Sequence, residues 1–177
     1  MEKITGKEIA LSGITAALAV IAVVLSHFLG VLTLTFLAVS SVVLTLPMMI
    51  DSLRGSVLAY VAAAGLSFLF VGYISVMPFV LIFGLYPIID YILWKYLKKR
   101  LFVLPIEIVF ACLSFLATFY AIGLTLADFP IVDTLPDWGK YLVIYVGVAV
   151  VFVIFHFAFT VLYEVLKKRL APVLKKK

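Results

Sequence analysis

The chain has a single cysteine, Cys112, and neither asparagine nor glutamine. A lone thiol excludes an intramolecular disulfide and any metal cage built from several cysteines. Without side-chain amides, a ligand has to be held by Tyr, Ser, Thr, Asp, His, Trp or backbone groups, which suits a modest aromatic and apolar pocket with few polar contacts. Charge is scarce as well: 13% of residues are charged, against roughly 25% in soluble domains. What fills the chain instead is apolar, 66% of its 177 residues. At roughly 20 residues per membrane-crossing helix, that is enough for about five or six spans and leaves almost nothing for a folded domain outside the bilayer. A receptor with an ectodomain, an ATPase with its own nucleotide-binding domain and a soluble enzyme are therefore excluded.

Charged clusters punctuate the sequence, and the uncharged runs between them measure out the spans. Ile9 to Ile50 is long enough for two helices, with a turn at Ser26-His27-Phe28-Leu29-Gly30. Asp51-Ser52-Leu53-Arg54-Gly55 closes the second span and opens the third. Gly72-Tyr73 is the plausible break before the fourth, which ends among Lys95, Lys98, Lys99 and Arg100. The stretch from Ala127 to Gly139, with prolines and aspartates and no basic residue, is the one long loop expected. The expected architecture is all-α: a polytopic six-transmembrane-helix bundle forming one integral domain over residues 1–177, with helices near 8–25, 31–49, 55–70, 74–94, 103–126 and 140–166. The first span is expected to be retained rather than cleaved as a signal peptide.

Six spans place both termini on one side, and the basic residues choose which. Of the 14 Lys and Arg residues, all except Lys140 fall on the side of the termini. The positive-inside rule makes that side cytoplasmic, in a prokaryotic plasma membrane, and the Asp-rich loop external. The net charge of +5 is thus a topology signal and not a nucleic-acid footprint.

Enzyme signatures are missing: no H-E-x-x-H, no phosphate-binding glycine loop with a following lysine, no paired-acid motif. An enzyme is not expected, nor a cofactor, nor a metal site, since His27 is external and His156 lies in the inner half. Three ionisable residues fall inside the predicted hydrocarbon: Asp90, Glu107 and His156. A charge at a span's centre costs roughly 2.5–3.5 kcal/mol on insertion scales, so these groups are expected to be paired, neutral or close to headgroup water. They read either as a polar relay or coupling site, or as a hydrogen-bonded packing cluster near the inner interface.

Several helix faces are small and weakly polar. Glu107, Ala111, Ser114, Thr118, Ala121 and Thr125 form one stripe at spacings of three and four. Ser12, Thr15, Ala16, Ala19, Ala22 and Ser26 form another on the first helix, with Ala10, Gly13 and Ala17 on a separate face. Gly55, Ala59 and Ala63 recur on the third. Small faces admit close helix approach, for internal packing or for a partner membrane protein.

The short basic N-terminus, the first helix Ala10-Leu11-Ser12-Gly13-Ile14-Thr15-Ala16-Ala17-Leu18-Ala19, and Leu46-Pro47 ending the second span with Gly55 opening the third resemble the substrate-binding S components of energy-coupling factor (ECF) transporters. The likeness covers nearly the whole chain as architecture. It implies capture of a vitamin-like solute from outside, and docking through small residues of the first helix onto a transmembrane coupling protein driven by separate ATPase subunits. The docking element falls on Ser12 and Ala16, or on Gly13 and Ala17; neither pair is two alanines, though small-x-x-x-small is kept. The implied ligand region offers His27, Tyr73, Tyr120, Asp128, Asp133, Asp137, Trp138, Tyr141 and Tyr145. Two competing readings are a structural membrane subunit of a cell-shape or envelope complex with no ligand, and a partner-independent transporter or membrane enzyme using Asp90, Glu107 and His156.

Overall fold

The computed structural model describes residues 5–97, 100–123 and 136–175. Seven α-helices account for most of it: α1 Gly6–Phe28, α2 Thr33–Val43, α3 Leu53–Val71, α4 Tyr73–Pro78, α5 Tyr86–Tyr96, α6 Arg100–Ile122 and α7 Asp137–Lys175. No strand occurs among the described residues. Counted as continuous rods, these make 6 helical segments long and apolar enough to cross a membrane. The second of them joins α2 to a short 3-10 turn over Leu46–Ile50, and the fourth joins α4, a π-helical turn over Phe79–Phe83, and α5.

α1 starts at a capping box: the Thr5 backbone N–H donates to Glu8 Oε2 at 2.7 Å, and the Glu8 N–H donates back to Thr5 Oγ1 at 3.4 Å. Two residues apart on a helix means nearly opposite faces. Accordingly, Ser12, Thr15, Ala16, Ala19, Ala22 and Ser26 are buried, while Ala10, Gly13 and Ala17 point out of the bundle. The buried face meets α3, whose Gly55, Ser56, Ala59, Ala63 and Ser67 are its own buried set. Small residues on both sides let the two backbones approach. A Cβ added at Gly55 would lie 2.9 Å from Ser12 Oγ and 3.0 Å from Pro47 Cβ.

Both interrupted spans follow from proline. Pro47 and Pro87 lack the N–H that a continuous helix requires, and each ring crowds the preceding turn. In the second span Met48 N–H turns to the Thr45 carbonyl, which strands the Leu44 carbonyl; Ser56 Oγ donates to it at 2.8 Å. In the fourth, Gly84 N–H reaches back five residues to the Phe79 carbonyl at 2.7 Å, which strands the Val80 carbonyl; Tyr60 Oη donates to it at 2.9 Å. Ser56 and Tyr60 are one helical turn apart on α3, so one face of this helix repairs both breaks. In a bilayer no water can do that work. Ser56→Ala and Tyr60→Phe are each expected to lower the thermal midpoint of the detergent-solubilised protein, by about 0.5–2 kcal/mol of stability, and the double variant by about the sum. Unchanged midpoints in both would show that the freed carbonyls find other donors.

α6 and α7 pack together and close a second core, in which Tyr86, Phe152 and Phe159 surround Ala111. The 39 residues of α7 span about 58 Å at 1.5 Å per residue, well beyond the roughly 30 Å hydrocarbon core. Its helix runs on past the expected end near Leu166, through Lys167-Lys168-Arg169 to Lys175. There the Lys7 ammonium donates to the Leu174 carbonyl, so the starts of α1 and the end of α7 lie at one end of the bundle. Arg54, at the start of α3, and Lys95, in the last turn of α5, share that basic end. Large apolar residues cover the outside, Val31, Leu69 and Val161 among them.

Candidate functional site

The π turn and the Pro87 break reset the helical phase before α5, and this aims Tyr86 and, one turn later, Asp90 toward α6 and α7. Tyr86 is fully buried, its ring set edge-on against Phe159, Phe155 and Phe152 at 4.9, 5.2 and 5.4 Å between centroids. Its hydroxyl lies 2.9 Å from His156 Nδ1. The same nitrogen is 2.7 Å from Glu107 Oε2. Glu107 itself is 0% exposed.

Asp90, Glu107 and His156, from α5, α6 and α7, each offer an atom within 4.8 Å of the others. This is the one such gathering of His, Cys, Asp and Glu side chains among the described residues. The Trp94 side chain, a turn further along α5, hydrogen-bonds Asp90. The Asp90 and Glu107 carboxyls also meet each other, while Asp90 Oδ1 and both Glu107 oxygens are buried with no geometrically aligned donor. His156 Nδ1 thus faces both Glu107 Oε2 and the Tyr86 hydroxyl, with Tyr86 in the aligned hydrogen-bonding position. Three carboxyl oxygens and one imidazole nitrogen thus meet between α5, α6 and α7.

A cavity of about 450 Å³ reaches this cluster from the basic end of the bundle. Asp90 lies on its wall with Tyr91, Trp94 and Tyr163, and Asp51, Lys95, Glu164 and Lys167 also line it. The Lys167 ammonium sits 5.6 Å from the centre of the Tyr163 ring, within cation–π range.

The stripe expected on α6 faces protein: Glu107, Ala111, Ser114 and Thr118 are all buried. At the opposite end of the bundle, the expected ligand residues whose side chains are described fall on α1, α4, α6 and α7. His27 Nδ1 is 2.8 Å from Ser75 Oγ, which ties the end of α1 to α4. Tyr73 Oη donates to the Ala121 carbonyl at 2.5 Å, which ties α4 to α6. Tyr120 is 90% exposed and points away from the bundle. Tyr145 is half-buried on α7, and Asp137, Trp138 and Tyr141 fall in the first turns of that helix. Asp128 and Asp133 lie outside the described residues. Of the two alternatives for a docking element, Ser12 and Ala16 are covered by the chain itself, whereas Gly13 and Ala17 are exposed.

Sequence reasoning passed over Tyr86. The available signal was its spacing of four from Asp90, which puts a phenol and a carboxyl on one helix face. No family model matches the chain, and no curated protein or solved structure is significantly similar to it.

Proposed function

We propose that the chain is the membrane-embedded, solute-capturing subunit of an ECF-type transporter in a prokaryotic plasma membrane, both ends cytoplasmic, taking a vitamin-like solute from outside. The observation that carries this reading is the division of α1. Its larger small-residue face is consumed by α3, and a second small face, Ala10, Gly13 and Ala17, is left outward. A Cβ added at Gly13 would meet nothing within 4 Å, so this face is available to another helix in the close-approach geometry that a coupling protein would use. The described residues form six apolar segments and no ATPase domain, which agrees with energy supplied by separate subunits.

The test is the composition of the protein extracted gently from its own membranes, read by native mass spectrometry. The reading expects a complex with one polytopic coupling protein and ATPase subunits. A folded chain that is found alone at every detergent concentration contradicts it. The purified chain should also gain thermal stability from one member of a micronutrient panel in the absence of nucleotide.

A second reading is favoured by the buried Asp90, Glu107 and His156 group: a carrier that works without partners, its path running through this cluster. It expects solute or ion flux in proteoliposomes that hold this chain alone, and the first reading expects none.

A further inference from the structure

We propose that Asp90, Glu107 and His156 form a binding site for a divalent first-row transition ion, reached through the cavity at the basic end of the bundle. This goes beyond the docking reading and stands independently of it, because it concerns the opposite part of the chain and needs no partner.

Three helices bring one imidazole and two carboxylates to within 4.8 Å. Ligands around an ion at about 2.1 Å are spaced by about 3–4 Å, so small side-chain adjustments complete the set: Asp90 moves in, and the 2.7 Å contact between Glu107 and His156 relaxes outward. The carboxyl oxygens are where an independent sign of a ligand appears. Glu107 is wholly buried, and its carboxyl meets only the Asp90 side chain and His156 Nδ1, with no geometrically aligned donor on either of its oxygens or on Asp90 Oδ1. A cluster that served packing alone would be expected to supply donors to these atoms. A doubly charged cation satisfies all three at once and cancels the two carboxylate charges.

Access and selectivity follow from the surroundings. Asp90 lines the cavity of about 450 Å³, so an ion can arrive without unfolding the bundle and can keep a fourth position open toward water. Asp51 and Glu164 line the same cavity and offset the charge of Lys95 and Lys167, which line it too. One nitrogen with two oxygens favours Zn²⁺, Mn²⁺, Fe²⁺ or Co²⁺ over the all-oxygen preference of Mg²⁺ and Ca²⁺, and the lack of a thiolate in the set disfavours Cu⁺. Tyr86 Oη, 2.9 Å from His156 Nδ1, gives up that contact when the nitrogen turns to the ion and then lies beside the ligand set.

The experiment uses the full-length, untagged protein in detergent, stripped with EDTA and dialysed against Zn²⁺ or Mn²⁺ with a large excess of Mg²⁺. Binding near one ion per chain is expected, with Asp90→Asn, Glu107→Gln and His156→Gln each weakening it by about 100-fold and His27→Gln leaving it unchanged. Co²⁺ should give a visible absorption band that is lost with His156→Gln. Failure of the wild-type chain to bind any of these ions stoichiometrically overturns the proposal, as does binding that survives all three substitutions or that depends on His27. Should Glu107→Gln fail to fold, Asp90→Asn decides, since that half-buried residue sits on the cavity wall.

Discussion

Leucine at both Gly13 and Ala17 is expected to reduce ATP-driven solute uptake in cells to background, while the purified variant folds, melts and binds solute as the wild type does. Both positions lie on the outward face of α1, and a Cβ at Gly13 meets open space, so nothing inside the chain resists the larger side chains. Exchanging glycine for leucine within a helix even favours the helix by about 0.5–1 kcal/mol. Only a partner pressed against this face would object. Leucine at Ala16, one residue away, is expected to do the reverse. Ala16 is buried against the first core cluster, and overpacking there costs about 1–3 kcal/mol, which should appear as a lower midpoint and poor yield. Uptake that survives the outward pair would remove the docking role of α1.

Valine at Gly55 is expected to be the most damaging single change to folding, at about 3 kcal/mol or more. Even a bare Cβ would stand 2.9 Å from Ser12 Oγ and 3.0 Å from both Pro47 Cβ and Ser52 Oγ, and none of these can step aside freely. Ser12 Oγ donates to the Glu8 carbonyl at 2.7 Å, Ser52 Oγ accepts the Gly55 N–H at 3.1 Å as the cap of α3, and Pro47 is fixed in the 3-10 turn. The control is Gly65→Ala on the exposed part of the same helix, where nothing lies within 4 Å; it is expected to raise stability by about 0.5–1 kcal/mol. The two variants are compared by thermal unfolding in one detergent. Equal midpoints would mean that α1 and α3 are not held at this distance.

Most span ends were legible because charge is costly in hydrocarbon, so clusters of Lys, Arg and Asp mark them; the breaks near Gly30 and Gly72 carry no Lys, Arg, Asp or Glu and show only as glycine beside polar or aromatic residues. Asp90, Glu107 and His156 were legible for the same reason: each is an ionisable group in an otherwise apolar run. Their meeting was less so, since it depends on the phase of α5, and that phase is reset by the π turn over Phe79–Phe83. Pro47, Pro78 and Pro87 were visible, but where a break re-aims a helix depends on which neighbour satisfies the freed carbonyl, here Ser56 and Tyr60. On α1 the two small faces look alike in sequence. The choice between them is made by α3, whose Gly55, Ala59 and Ala63 stripe selects the wider, hydroxyl-bearing face.

The docking role proposed for α1 depends on what touches its outward face in the membrane. A photo-crosslinking amino acid at Ile14, an exposed position beside Gly13, reads this directly, with Leu69 on the exposed side of α3 as reference. The prediction is a discrete adduct from position 14 to a polytopic protein that co-purifies with ATPase subunits, and only lipid adducts from position 69. Lipid adducts alone from both positions, in a protein shown to be folded, would contradict the proposed role.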